Sequence, residues 1–103
     1  MLKTITKNNF KKLIMETNKL VLLEFYSPTC RPCQMQLPIV ESLANEVGDQ
    51  AVIGKVNIDE ELEIANQFKI LSIPTIVFLE KGKVKNFLVG LQTKNELKKY
   101  LNI

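Results

Sequence analysis

The chain has no histidine and no tryptophan, and only two cysteines in 103 residues. Without histidine there is no Ser–His–Asp triad, no Cys–His nucleophile pair and no His-ligated metal. Two cysteines alone do not close a tetrahedral zinc site within one chain, so no metal is expected and the cysteines are left with redox chemistry or with packing. Long apolar runs are also missing. Leu20 to Leu23 stops at Glu24, far short of the roughly 18 apolar residues of a membrane span. The charge is nearly balanced, 14 basic residues against 11 acidic for a net +3. The lysines at 11–12, 81–85 and 98–99 have no aromatics interleaved for base stacking, so they read as solvated faces. The first ten residues, from Met1 to Phe10, contain no hydrophobic signal segment. A cytoplasmic monomer that binds neither nucleic acid nor membrane is the resulting expectation.

What is present is the composition of an ordinary globular domain, 46% hydrophobic and 24% charged, and its length suits one domain spanning 1–103. The apolar period alternates between helix-like and strand-like, with a capping or turn signal at each change. Asn8 or Asn9 is placed to cap a first helix with Phe10, Leu13 and Ile14 on one face. Leu20 to Tyr26 reads as a strand covered on both faces. A helix from Cys30 or Arg31 to Val47 follows the Ser27-Pro28-Thr29 turn, and Gly48-Asp49 stops it. Ala51 to Ile58 is the next strand. Asp59 is expected to cap a short helix whose inward face is Leu62, Ala65 and Phe68. Thr75 to Leu79 and Val84 to Val89 form a hairpin about Glu80-Lys81-Gly82-Lys83. Thr93 caps a last helix with Leu97, Tyr100 and Leu101 buried. Helices alternating with strands call for a mostly parallel sheet, and the hairpin makes it mixed.

The chemistry is concentrated at Cys30-Arg31-Pro32-Cys33, at the junction of a buried strand and a helix N-terminus. Two intervening residues on a first helical turn bring the sulfurs within bridging reach. The unpaired backbone donors and partial positive charge of the helix end stabilise a thiolate on Cys30, and Arg31 adds a full charge beside it. Cys30 is then the attacking sulfur, and Cys33, one turn in and more buried, the resolving one. Pro32 suits the first turn because its missing N–H would be unpaired there.

The segment from Phe25 through Cys30-Arg31-Pro32-Cys33 to Pro38 resembles the active-site region of the thioredoxin family. Val56-Asn57-Ile58-Asp59, Ser72-Ile73-Pro74-Thr75, Gly82 and Val89-Gly90 follow in the family's order, so the resemblance covers essentially the whole chain. It implies a thioredoxin fold, α/β, with a central mixed five-stranded sheet flanked by four helices. It also implies a protein-disulfide reductase that needs no cofactor beyond a reversible Cys30–Cys33 disulfide. Disulfide-containing proteins would be its substrates and a thioredoxin reductase-type donor its source of electrons. By the same resemblance Pro74 is a cis-proline that leaves the Ile73 backbone free to pair with substrate. Glu24 stands where the family carries a buried aspartate that accepts the Cys33 proton, and Lys55 matches the lysine beside it. Ile73, Pro74, Val89, Gly90 and Leu91 would form the docking rim.

Two departures stand out. Thr29 replaces the usual tryptophan before the first cysteine, which changes the docking surface, and Arg31 replaces glycine. A positive charge that favours the thiolate stabilises the reduced form and raises the reduction potential. Two alternatives therefore stay open: a protein-disulfide oxidant or isomerase, and a binding subunit that uses the same groove without turnover.

Overall fold

Seven residues from Leu20 to Tyr26 form the strand β2, and its five inner positions are all buried. That is what a run of Val, Leu and Phe requires when helices cover both faces of a sheet. The computed structural model describes residues 1–103. Its five-stranded sheet runs β1-β3-β2-β4-β5, with β1 at Lys3–Thr4, β3 at Ala51–Asn57, β4 at Thr75–Glu80 and β5 at Lys83–Val89. β1, β3 and β2 are parallel, whereas β4 runs antiparallel to β2 and β5 to β4. The mixed sheet expected from the hairpin is therefore present. Its fifth strand, β1, is a two-residue segment too short to show a period in the sequence.

The helices are α1 at Arg31–Val47, α2 at Leu62–Gln67 and α3 at Lys94–Tyr100, preceded by a π-helical turn at Lys11–Met15. Two cores result. Leu22, Ile53, Ile76 and Phe78 face Val40, Leu43, Ala44 and Val47 of α1 and Leu97 of α3. On the other face Val21, Leu23, Phe25, Val56 and Val77 pack with Ile5, Ile14 and Ile64.

Several local signals work as expected. Thr93 accepts a hydrogen bond from the Glu96 N–H at 3.2 Å, and Gly48 ends α1 at φ +56°. Lys81 and Gly82 both have positive φ, 52° and 78°, the turn geometry that matches the twist of a two-residue hairpin.

Three expectations are corrected. The first helix is only the five-residue π-turn, and Asn9 is not its cap; the Asn9 Oδ1 accepts instead from the Thr6 N–H at 2.8 Å. Asp59 does not cap α2, which starts after Glu61 with no side-chain cap. Leu62 is 65% exposed, and the inward face of α2 is Ile64 and Ala65. α2 begins two residues later than an Asp59 cap implies, and the sheet meets its Ile64 side, with Phe68 at its end packed on the same core.

Candidate active site at the carboxyl end of the central strand

The register of the sheet gathers the site. Phe25 of β2 lies opposite Val56 of β3 and opposite Thr75 of β4, and Thr75 lies opposite Val89 of β5. The exits of β2, β3 and β5 and the entrance of β4 are therefore at one end of the sheet. Chain leaving or entering there carries Cys30, Asp59, Pro74 and Gly90.

Cys30 is the N-cap of α1, in an extended conformation, with Arg31 and Pro32 opening the helix. The two cysteines form a disulfide with Cα atoms 5.2 Å apart. The Cys33 N–H donates to Cys30 Sγ at 3.3 Å, a helix-end donor turned on sulfur. Cys30 is partly exposed, whereas Cys33 is completely buried. The Arg31 side chain is exposed and joins no ion pair.

Opposite the disulfide, the Ile73–Pro74 peptide is cis, and the Ile73 carbonyl oxygen lies 3.9 Å from Cys30 Sγ. Pro74 is buried and Ile73 half-buried. The Gly90 N–H donates to the Pro74 carbonyl at 2.8 Å. Gly90 has φ +95° with open space where a Cβ would stand. Val89 and Leu91 are exposed, as is Leu71 at 96%, so an apolar rim borders the Ile73–Pro74 turn. None of the three larger surface hollows is lined by a cysteine or a rim residue; the disulfide opens on surface.

Glu24 is wholly buried, with neither carboxylate oxygen hydrogen-bonded. It shares a sheet face with Leu22, the face that α1 covers. Burial pushes its pKa up to about 8, and Lys55, opposite it in the register, pulls in the other direction. Desolvation is the larger effect because a charged carboxylate loses all its water there.

Two features escaped the sequence reading. Ser27 donates to Asp59 Oδ2 at 2.7 Å and lies 3.2 Å from the Thr29 hydroxyl, tethering the turn before Cys30 to the end of β3. Thr29 itself is exposed. The second is Gln36, fully buried on α1 and bonded through its amide to the main chain of Gln92. Its signal was present: Cys33, Gln36, Val40 and Leu43 make one buried stripe, and a polar residue within such a stripe needs a partner. No three Cys, Asp or Glu side chains are grouped as a metal site requires.

A bridged cysteine pair at a helix N-terminus, with its outer sulfur accessible and its inner one buried, defines a thiol–disulfide oxidoreductase whose redox group is its own disulfide. The thioredoxin family model matches residues 1–103. The chain is 39% identical over 97 residues to a thioredoxin of Chlorobaculum thiosulfatiphilum, covering 94% of this chain and 90% of that protein. It is 34% identical over 102 residues to the thioredoxin of Rickettsia prowazekii, covering 99% and 97%. Among solved structures, a thioredoxin of Malassezia sympodialis superposes with a TM-score of 0.88 at 28% identity, covering 99% of this chain and 89% of that one. The chain belongs to the thioredoxin family, and its activity is protein-disulfide reduction through Cys30 and Cys33.

Proposed function

We propose that Cys30 attacks substrate disulfides, that Cys33 resolves the mixed disulfide, and that extended protein segments dock along Ile73–Pro74 and Val89–Gly90. The observation that carries this assignment is the unequal access of the two sulfurs: Cys33 is 0% exposed and Cys30 is open to solvent. Only an exposed thiolate reaches a protein-borne disulfide.

In the reduced protein, the Cys30 thiolate forms a bond to one substrate sulfur, and the other leaves as a thiolate that takes a proton from water. Cys33 then loses its proton to the ionised form of Glu24, attacks Cys30 Sγ and releases the second substrate thiolate. Two electrons pass to the substrate, and the Cys30–Cys33 disulfide remains. With its pKa pushed up to about 8, Glu24 holds its own proton in most molecules at neutral pH, so only the ionised fraction accepts the thiol proton and resolution should quicken as pH rises toward 8. Lys55 adjusts that affinity through its charge, and Arg31 and Pro32 shape the helix end on which the thiolate forms. Thr29 borders the disulfide with a small hydroxyl side chain, leaving room for bulky substrate residues.

A reductase-type electron donor restores the dithiol. The reading carries with it a reducing compartment, the cytoplasm, where disulfides are kept rare. The test is the equilibrium reduction potential of the pair in dithiothreitol buffers. The reference value for thioredoxin itself is about −270 mV, and a result in that range establishes a reductant. A value near the strong oxidants, about −120 mV, overturns the direction of the reaction.

A further inference from the structure

We propose that Gln36 is a positioning residue for substrate, holding the 89–92 rim at a set place against the helix that bears both cysteines. The proposal rests on the reading of that rim as the docking surface. Gln36 is one turn beyond Cys33 and completely buried. Its Nε2 donates to the Gln92 carbonyl at 3.1 Å, and its Oε1 accepts from the Gln92 N–H at 2.7 Å. Both ends of the amide are therefore committed to one residue 56 positions away. A leucine or methionine would fill the same space. What the amide adds is direction, because two hydrogen bonds fix where the main chain at 92 lies relative to α1.

The rim is thus held at two points. The Gly90 N–H is bonded to the Pro74 carbonyl, which joins the rim to the cis-proline turn. The Gln92 main chain is bonded to Gln36, which joins it to the cysteine helix. Between them lie Gly90, with its left-handed backbone and open space at the Cβ position, and the exposed Leu91. Releasing the Gln36 bonds leaves the gap between rim and disulfide free to vary. An extended substrate spanning that gap then loses affinity, whereas a small disulfide that touches only Cys30 does not. Gln36 bonds to neither sulfur, so the redox couple itself is unaffected.

The test compares insulin with bis(2-hydroxyethyl) disulfide for the full chain and for Gln36→Met and Gln36→Glu. For Gln36→Met, KM for insulin should rise about tenfold, equivalent to ~1.4 kcal/mol of lost binding. The kcat, the reduction potential and the rate with the small disulfide should stay unchanged. Gln36→Glu keeps the acceptor for the Gln92 N–H and should lie between the two. Faster exchange of the Gln92 amide in Gln36→Met reads the released clamp directly. A folded Gln36→Met protein with unchanged insulin KM overturns the proposal, and so does equal loss on both substrates, which would mean a distorted disulfide site. If Gln36→Met does not fold, Gln36→Glu decides by the same two readouts. Val89→Asp separates the premises: unchanged insulin KM there removes the docking reading itself. A raised KM in Val89→Asp with none in the Gln36 variants removes only the role of Gln36.

Discussion

Glu24 and Lys55 lie directly opposite each other in the parallel β2–β3 register, yet they form no ion pair. The Lys55 ammonium stands 5.8 Å from the centre of the Tyr26 ring, and the Glu24 carboxylate is left buried with no hydrogen bond. A lysine in contact would have held that carboxyl ionised at neutral pH. At a distance it offsets only part of the desolvation, and the group keeps its proton up to about pH 8.

This arrangement makes stability fall as pH rises. Below pH 4.5 both folded and unfolded chains hold the proton, and Glu24 contributes nothing. Between 4.5 and about 8 the unfolded chain releases it while the folded one retains it, so the unfolded state gains. The loss is complete above pH 8 and amounts to roughly 5 kcal/mol. Glu24→Leu should therefore unfold at higher urea than the native protein, by about 3 kcal/mol at pH 7, with a flat profile where the native one descends. Urea titrations from pH 5 to 9 check this; a native curve with no descent would show that the carboxyl is not held neutral.

Cys33→Ser should trap what the native protein only passes through. With the buried sulfur gone, Cys30 forms a mixed disulfide with insulin that nothing resolves, and mass spectrometry should find the adduct accumulating. Cys30→Ser should yield no adduct, because the remaining thiol is covered. Adducts at Cys33 in that variant would reverse the assignment of the two sulfurs.

Arg31→Gln should lower the reduction potential, because removing a positive charge disfavours the thiolate form. The side chain is exposed and unpaired, so screening keeps the shift below about 30 mV, or ~1.4 kcal/mol for a two-electron couple. Equilibration with dithiothreitol at low and high salt measures it, and the difference from the native protein should shrink as salt is added. A larger, salt-independent shift would mean that Arg31 approaches the sulfur in the reduced state.

Gly54→Ala should destabilise the fold without touching the chemistry. A Cβ at Gly54 would stand 2.7 Å from Cγ1 of Ile5, and Ile5 is itself fully buried. Forcing β1 away from β3 should cost about 1–3 kcal/mol, read as a lower urea midpoint with an unchanged reduction potential. An unaltered midpoint would show that the Ile5 segment yields freely.

Features that depend on near neighbours are legible along the chain. Cys30 and Cys33 are three residues apart at the start of a helix, so their pairing follows from local geometry. β2, α1 and the Lys81–Gly82 turn each carry their own pattern or backbone requirement within a few residues. The β1 strand is too short to have a pattern, and Leu62, though at helical spacing from Ala65, faces solvent because the sheet meets the Ile64 side of α2 instead. Local rules offer Asp59 a role as a helix cap, whereas the fold brings it a serine from position 27. Gln36 has no partner within its own helix, and tertiary packing sets the Gln92 main chain against it. Which distant group meets each buried polar side chain is set by the fold alone: a partner for Gln36, none for Glu24. Hydrogen bonds and desolvation act over a few ångströms in space, and distance along the chain does not measure that.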